Sequence, residues 1–162
     1  MPTFVVPYRV NGKSRLGDPS IASAMLADVR AACAPLGATV VCDAPGGQGE
    51  AVAAVLAGLR GPVAVVNADV PCVTTDELRR LVATAPALVA AEDGTTNALA
   101  LADPADFVPL YGAGSAVRFA RRLGAQTLDL PGLREDVDTW DDLLRVADRA
   151  GRFTREALKA RV

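Results

Sequence analysis

Short β-branched segments alternate along this chain with alanine-rich segments of helical periodicity. The clearest strand, residues 62–67, reads PVAVVN and is almost wholly apolar, as is typical of a strand covered on both faces. Residues 3–7 and 39–42 are further strands, and residues 125–130 are predicted as a late one. Repeated β-α units predict a three-layer α/β/α sandwich around a Rossmann-like, mostly parallel but mixed sheet. We expect residues 1–162 to form one domain.

Capping residues mark where the helices begin. Asp18 is predicted as an N-cap because Pro19 follows it at the first helical position. Residues 74–77 (TTDE) predict a capping box. Residues 139–142 (TWDD) are predicted to cap a last long helix that runs towards Gly151.

The chain contains no histidine, and this removes several classes of chemistry. Serine–histidine and cysteine–histidine nucleophiles, histidine acid/base catalysis and the usual zinc and iron sites are excluded. Any metal must then be held by oxygen ligands, which favours Mg²⁺, Mn²⁺ or Ca²⁺. The three cysteines, Cys33, Cys42 and Cys72, lie far apart without a CxxC pair, so neither a zinc ribbon nor a disulfide framework is expected.

The charge balance argues against nucleic-acid and membrane partners. The 17 lysines and arginines and 19 aspartates and glutamates give a net charge of −2. The N-terminus lacks the pattern of a signal peptide, and the longest apolar stretch is too short for a bilayer, which needs about 20 residues. We therefore expect a soluble, cytoplasmic protein that acts on small molecules.

Ligands of open α/β sheets collect at the carboxyl ends of the strands, and four segments are predicted to lie there. The loop after the first strand carries three cations suited to a polyphosphate, Arg9, Lys13 and Arg15. A solvated basic loop is the alternative. Asp69, just after the apolar third strand, presents a carboxylate suited to Mg²⁺, although a turn or capping aspartate fits the pattern equally well.

The third segment contains the sequence DVDT. Its DxD spacing places Asp136 and Asp138 on one side of an extended backbone, where both can face one cation. The alternative is that the acidic residues decorate the N-terminus of the next helix. That account fits Asp141 and Asp142 but not Asp136, which lies outside the predicted helix, so we favour metal binding by the DxD pair.

The fourth segment combines DGTTN with YGAGS. Glycines that lead directly into a helix leave backbone N–H groups free for an anion, and nearby hydroxyl and amide groups could bind a carboxylate. An ordinary glycine-rich connector with a serine N-cap is the alternative. The candidate substrate-binding residues are Thr95, Thr96, Asn97, Gly112, Gly114 and Ser115. Together, the four segments are suited to phosphoryl or nucleotidyl transfer.

Six segments carry a resemblance to a known family. They are VPYRVNGKSRL, GGQGEAV, NADVPCVTTDEL, DGTTNALAL, YGAGS and LREDVDTWDDL. The chain resembles the CofC/FbiD guanylyltransferases of the MobA-like nucleotidyltransferase superfamily, which make the activated phospho-acid of deazaflavin coenzyme F-420. The resemblance implies transfer of GMP from GTP to the phosphate of phosphoenolpyruvate, 2-phospho-L-lactate or 3-phospho-D-glycerate, with release of pyrophosphate.

The resemblance also implies roles for individual residues. Two Mg²⁺ ions would be coordinated by Asp69, Asp136 and Asp138, and the acceptor would be held by Thr95, Gly112 and Ser115. The catalytic set would be Lys13, Arg15 and Asp69. The nucleotide-binding set would be Arg9, Lys13, Arg15, Gly47, Gln48 and Gly49.

The chain departs from the family pattern in three ways. Its first loop is shorter than usual and has Arg9 where the family tends to have lysine. Gly49 stands where the family usually has asparagine, and about one β-α unit is missing between the first helix and residues 39–42. A sheet shortened in this way exposes an edge that a homodimer could cover. Two other functions are considered: another MobA-like nucleotidyltransferase, for a molybdenum cofactor or a sugar phosphate, and a catalytically inactive paralogue that binds a nucleotide.

Overall fold

The computed structural model describes residues 1–9, 16–43 and 47–161. In these ranges the strands are β1 (Thr3–Pro7), β2 (Ala38–Cys42), β3 (Val63–Val66), β4 (Ala87–Ala90), β5 (Thr96–Leu101) and β6 (Gln126–Thr127). The α-helices are α1 (Pro19–Cys33), α2 (Gln48–Leu56), α3 (Thr75–Ala83), α4 (Ser115–Leu123), α5 (Pro131–Arg134), α6 (Trp140–Val146) and α7 (Arg152–Lys159).

The strands form one mixed sheet in the order β2-β1-β3-β5-β4-β6. Strand β1 pairs in parallel with β2 and β3, and β4 pairs in parallel with β6. Strand β5 lies between β3 and β4 and runs antiparallel to both. The predicted α/β sandwich with a mixed sheet is confirmed. The antiparallel part arises because the short connection of residues 91–95 reverses the chain between β4 and β5.

Helices cover both faces of the sheet. Successive residues of a strand point to opposite faces, so Phe4 and Val6 pack in the layer of α1 and α3, whereas Val5 packs in the layer of α2 and α4. All four residues of β3 are buried, as predicted for a strand covered on both sides.

The predicted helix caps are confirmed. The Asp18 carboxylate accepts from the backbone N–H groups of Ser20 and Ile21 at the start of α1. Capping boxes of residues 74–77 and 139–142 open α3 and α6. These interactions satisfy N–H groups that have no partner within the helix.

Two predicted elements are shorter in the structure. Strand β6 ends at Thr127 instead of residue 130, because Pro131 begins helix α5 soon afterwards. Helix α6 ends at Val146, and Gly151 is instead the N-cap of α7. Among the helices in the described ranges, none has both the length and the apolar character needed to cross a membrane.

Candidate active site

A cavity of about 380 Å³ lies at the carboxyl ends of β2, β1 and β3. Its wall includes Tyr8 and Arg9 after β1, Asp43 after β2 and residues 67–69 after β3. Helix α2 contributes Gln48, and α1 contributes apolar side chains. A concave site that combines apolar walls with a few polar groups suits a small-molecule ligand.

Several residues predicted to bind the nucleotide line this cavity. They are Arg9, Gly47 and Gln48, joined by Asp69 of the predicted catalytic set. Gly49 packs against the segment before α4, where a Cβ at position 49 would lie 3.0 Å from the Cβ of Pro109. A larger residue at position 49 therefore requires Pro109 to shift. Lys13 and Arg15 lie outside the described residues.

Asp69 and Asp136 form an acidic pair beside the cavity. The backbone N–H of Val137 donates to the carbonyl oxygen of Asp69 across 2.9 Å, so the two acidic segments are joined. Burial and the nearby charge of Asp69 raise the pKa of Asp136, and a hydrogen bond from Asn97 partly opposes that rise. Carboxylates held together in this way favour a cation between them.

Asp138 belongs to the cap of α6 through its backbone. Its N–H group donates to Asp142 Oδ2 across 3.0 Å. Hydrogen bonds from the backbone of Asp138 and Thr139 help to lower the pKa of Asp142 despite its partial burial. Within residues 1–9, 16–43 and 47–161, no group of three or more acidic or cysteine side chains is arranged to hold a metal ion. The inclusion of Asp138 in a metal site stays a prediction.

The donor set of the Asp69–Asp136 pair fits Mg²⁺. Both carboxylates offer hard oxygen ligands, and the Asn97 side-chain amide orients Asp136 by donating to its Oδ1 across 3.2 Å. Mg²⁺ is usually held by one or two carboxylates together with substrate phosphates and water. Two aspartates beside a cavity of about 380 Å³ therefore match the number of carboxylates that this ion commonly takes from a protein.

The predicted substrate-binding residues divide into buried and accessible groups. Thr96 Oγ1 and Ser115 Oγ lie 2.8 Å apart, and both residues are buried. Asn97 is buried as well. Thr95 is half-exposed, and its side-chain and backbone hydrogen bonds to Asp93 lower the pKa of that carboxyl. The Thr96 and Ser115 hydroxyls thus contact each other below the protein surface.

The start of α4 is organised by its own loop. Gly112 and Gly114 have φ angles of 116° and 71°, a region that favours glycine. The Ser115 N–H donates to the carbonyl oxygen of Gly112 across 3.0 Å, and the Ala116 N–H donates to that of Gly94 across 3.1 Å. Contrary to the expectation for an anion site, these two N–H groups are already hydrogen-bonded.

Several residues that shape this region were not predicted as site residues from the sequence. Arg118, in α4, folds back and donates to the carbonyl oxygens of Leu110, Tyr111 and Ala113. No local sequence pattern predicts these hydrogen bonds of Arg118. Asn67 and Asp43 each directly follow a strand, so their positions did offer a signal for the site.

Solved structures provide counterparts of the fold, while no family model matches the chain. A protein of Desulfovibrio desulfuricans G20, described as a nucleotide-diphospho-sugar transferase, superposes with a TM-score of 0.72 at 18% identity over 99% of this chain and 95% of that one. Rv0371c of Mycobacterium tuberculosis H37Rv superposes with a TM-score of 0.58 at 19% identity, over 91% of this chain and 97% of that one. The fold is that of the MobA-like nucleotidyltransferases.

Curated relatives identify the family within this class. The chain is 36% identical to the phosphoenolpyruvate guanylyltransferase of Streptomyces scabiei, over 87% of this chain and 88% of that enzyme. It is 29% identical to the 2-phospho-L-lactate guanylyltransferase of Methanoregula boonei, over 98% of this chain and 87% of that enzyme. The chain belongs to the phosphoenolpyruvate/2-phospho-L-lactate guanylyltransferase family and is a nucleotidyltransferase.

The relatives also differ from this chain in length. The phosphoenolpyruvate guanylyltransferase of Nocardia farcinica is 39% identical over 67% of this chain, which spans only 54% of that relative. The alignment with the Streptomyces scabiei enzyme has 191 positions, more than the 162 residues of this chain, so that enzyme contains internal segments absent here. This difference supports the prediction of a missing β-α unit, and β2 lies at the sheet edge directly beside β1.

Proposed function

We propose that this chain is a Mg²⁺-dependent guanylyltransferase. It transfers GMP from GTP to the phosphate of phosphoenolpyruvate or 2-phospho-L-lactate and releases pyrophosphate, in the biosynthesis of deazaflavin coenzyme F-420. The observation that carries the proposal is the Asp69–Asp136 pair, in which Asp69 lines a cavity where three neighbouring strands end and its charge acts on Asp136. The names of the relatives supply the acceptor class.

The reaction needs no histidine and no general base. A phosphate has a second pKa near 6, so the acceptor is largely ionised at neutral pH. An acceptor oxygen attacks the α-phosphorus of GTP in line, the bond to the bridging oxygen of the β-phosphate breaks, and its electron pair leaves with pyrophosphate. Positioning and charge neutralisation supply the acceleration. Bound Mg²⁺ would neutralise phosphate charge, held by Asp69 and Asp136.

Asp43 is suited to select guanine. Strands β2, β1 and β3 are neighbours spaced about 4.8 Å apart, so the ends of β2 and β3 are separated by about 10 Å. This matches the reach of a nucleotide from its base to its α-phosphate. Guanine presents two adjacent donors, N1–H and the N2 amino group, and the carboxylate of Asp43 can accept both. Adenine, cytosine and uracil offer no such pair.

The loop of residues 110–114 is suited to hold the acceptor. It meets the Asp93–Thr95 turn at the start of α4, where the Ala116 N–H donates to the Gly94 carbonyl oxygen. Thr95 and the glycines of this loop are accessible, whereas Thr96 and Ser115 support them from below. We assign the acceptor carboxylate to this surface, with its phosphate directed towards Asp69 and Asp136.

The test is pyrophosphate release with Mg²⁺, each of the four nucleoside triphosphates and each acceptor acid. We expect release with GTP and either phosphoenolpyruvate or 2-phospho-L-lactate. Asp43→Asn should reduce the preference for GTP over ATP by about tenfold or more, while Glu50→Gln, exposed at the start of α2, should not. Release that is independent of the acceptor, or absent with every nucleotide, would contradict the proposal.

A further inference from the structure

A chain of side-chain hydrogen bonds links the nucleotide cavity to the acidic pair. Gln48 Nε2 donates to Asn67 Oδ1 across 2.9 Å. Asn67 Nδ2 lies 3.4 Å from Asn97 Oδ1, and Asn97 Nδ2 donates to Asp136 Oδ1 across 3.2 Å. The four residues come from α2, the end of β3, β5 and the segment before α6. Their side chains therefore connect elements that are far apart in sequence.

The direction of these hydrogen bonds is set at the end of the series that contains Asp136. Asn97 Nδ2 faces the carbonyl oxygens of Leu133 and Arg134, at 2.9 and 3.1 Å, as well as Asp136. The two carbonyl oxygens can only accept hydrogen bonds, and the same is true of the Asp136 carboxylate when it is ionised. The amino group of Asn97 must therefore face them, and its Oδ1 must face Asn67.

The same constraint passes to Asn67. Its Nδ2 donates to the carbonyl oxygen of Thr96 across 3.2 Å and faces Asn97 Oδ1, so again only acceptors lie on that side. Asn67 Oδ1 must then face Gln48 and accept from its Nε2. Reversing any one amide would bring two donors or two acceptors together and leave partly buried groups unsatisfied.

The last amide of the series, Gln48, lines the cavity. Gln48 turns its amino group to Asn67, and burial raises the pKa of Tyr111 while a side-chain hydrogen bond from the Gln48 amide to the Tyr111 hydroxyl partly opposes that rise. Tyr111 precedes Gly112 in the loop assigned to the acceptor. One polarised series of amides thus touches the nucleotide cavity, the acceptor loop and the acidic pair.

We propose that Asn67 is a positioning residue that couples the nucleotide cavity to the acidic pair. It fixes the amide of Gln48 on one side and the amide of Asn97, hence the carboxylate of Asp136, on the other. In the absence of the Asn67 side chain, the Gln48 amide and the Asp136 carboxylate adopt their orientations independently. The α-phosphate of GTP is then aligned less often for attack. The functional part of this inference rests on the proposed guanylyltransferase activity, whereas the structural coupling does not.

The first experiment measures the coupling between Gln48 and Asn97 in the absence of substrate. In ¹⁵N-correlation spectra, the side-chain amide signals of Asn97 should move in Gln48→Leu, although Gln48 does not contact Asn97 in the described network. In an Asn67→Leu background, adding Gln48→Leu should cause no further movement. Gln126→Leu, an exposed change on β6, is the matched control and should leave the Asn97 signals in place. Unmoved Asn97 signals in Gln48→Leu would overturn the proposal.

The second experiment measures the effect of the same coupling on kcat and on the KM for GTP. Asn67→Leu should lower kcat by about tenfold or more and also raise the KM for GTP, with an unchanged far-UV circular dichroism spectrum. In kcat, Gln48→Leu/Asn67→Leu should be no worse than Asn67→Leu alone, because Gln48 acts on Asp136 through Asn67. Additive losses would show that the two amides act separately. A wild type without turnover would contradict the proposed function and leave the spectroscopic result intact.

Discussion

The backbone N–H of Val137 donates to the carbonyl oxygen of Asp69 across 2.9 Å. This one bond joins the segment after β3 to the segment before α6, and each carries an acidic residue beside the cavity. Because the bond is made by backbone atoms, it holds Asp69 near Asp136 whether or not either side chain is charged. The acidic pair is therefore a property of the fold.

Asp136→Asn should abolish turnover without unfolding the protein. The substitution removes one carboxylate from the proposed Mg²⁺ ligands, and we expect kcat to fall by at least about 100-fold. It also relieves a buried like-charge contact, so the free energy of unfolding should stay unchanged or rise by about 1 kcal/mol. Pyrophosphate release and urea denaturation measure the two effects.

The neighbouring aspartates are the controls for this result. Asp141→Asn, exposed in the first turn of α6, should retain turnover. Asp138→Asn should also abolish turnover if Asp138 binds the metal as the DxD spacing predicts. Wild-type activity in Asp138→Asn would remove that residue from the site. Wild-type activity in Asp136→Asn would remove the acidic pair from the mechanism.

Ser115→Ala should weaken both folding and acceptor use. The substitution leaves the buried Thr96 hydroxyl without its 2.8 Å partner, at a cost of about 1–2 kcal/mol of unfolding free energy. The loop of residues 110–114 should then hold the acceptor less well, and the KM for the acceptor should rise. The double variant Thr96→Val/Ser115→Ala removes both hydroxyls and should recover most of the stability. Equal stability losses in the single and double variants would contradict this role of the pair.

Arg118→Met should raise the KM for the acceptor by about tenfold, a loss of ~1.4 kcal/mol, and leave the KM for GTP nearly unchanged. Arg118 holds the carbonyl oxygens of Leu110, Tyr111 and Ala113, which belong to the proposed acceptor loop. Arg121→Met, an exposed change on the same helix, is the matched control. If both variants have the same KM for the acceptor, the loop does not depend on Arg118.

Asp28→Ala should destabilise the fold strongly while sparing the chemistry. The buried carboxylate of Asp28 accepts from the backbone N–H groups of Phe153 and Thr154 and so fastens α7 to α1. Losing both acceptors should cost about 3 kcal/mol, whereas Asp28→Asn should cost about 1 kcal/mol because one acceptor remains. Urea denaturation gives these values. Equal stability of the Ala variant and wild type would contradict the role of this cap.

The buried thiols should be nearly inert in the native protein at pH 8. Burial raises the pKa of Cys33 to about 12 and that of Cys72 to about 11, so their thiolate fractions at pH 8 are about 10⁻⁴ and 10⁻³. Reactivity should increase about tenfold per pH unit up to these values. Titration with a disulfide reagent checks this, with the urea-unfolded protein as control. Equally fast modification of the native and unfolded forms would contradict the burial.

Much of the fold could be predicted because its signals are local. The apolar run of β3 and the capping boxes at Thr74 and Thr139 each depend on a few adjacent residues, and the structure contains them. The position of β5 was harder to predict. A short apolar strand has the same pattern in a parallel or an antiparallel pairing, so its insertion between β3 and β4 depends on packing rather than on its own sequence.

The site could be predicted in part for the same reason. Asp69 and Asp136 stand out because a polar residue after a strand, or in a DxD pattern, is visible locally. The contact between Asn67 and Gln48 joins residues 19 positions apart, and no short pattern encodes it. Thr96 and Ser115 appeared to be ligands because they flank a glycine-rich loop, yet they lie buried against each other. Burial of individual polar side chains requires the packed structure.

The proposed transfer is followed directly by ³¹P NMR of the wild-type protein with GTP, Mg²⁺ and phosphoenolpyruvate, repeated with 2-phospho-L-lactate. The proposed guanylyl transfer requires that pyrophosphate and a new diphosphate-linked guanylyl product appear together in equal amounts, and that Asp136→Asn form neither. Formation of GDP and inorganic phosphate, or product formation that persists in Asp136→Asn, would contradict it.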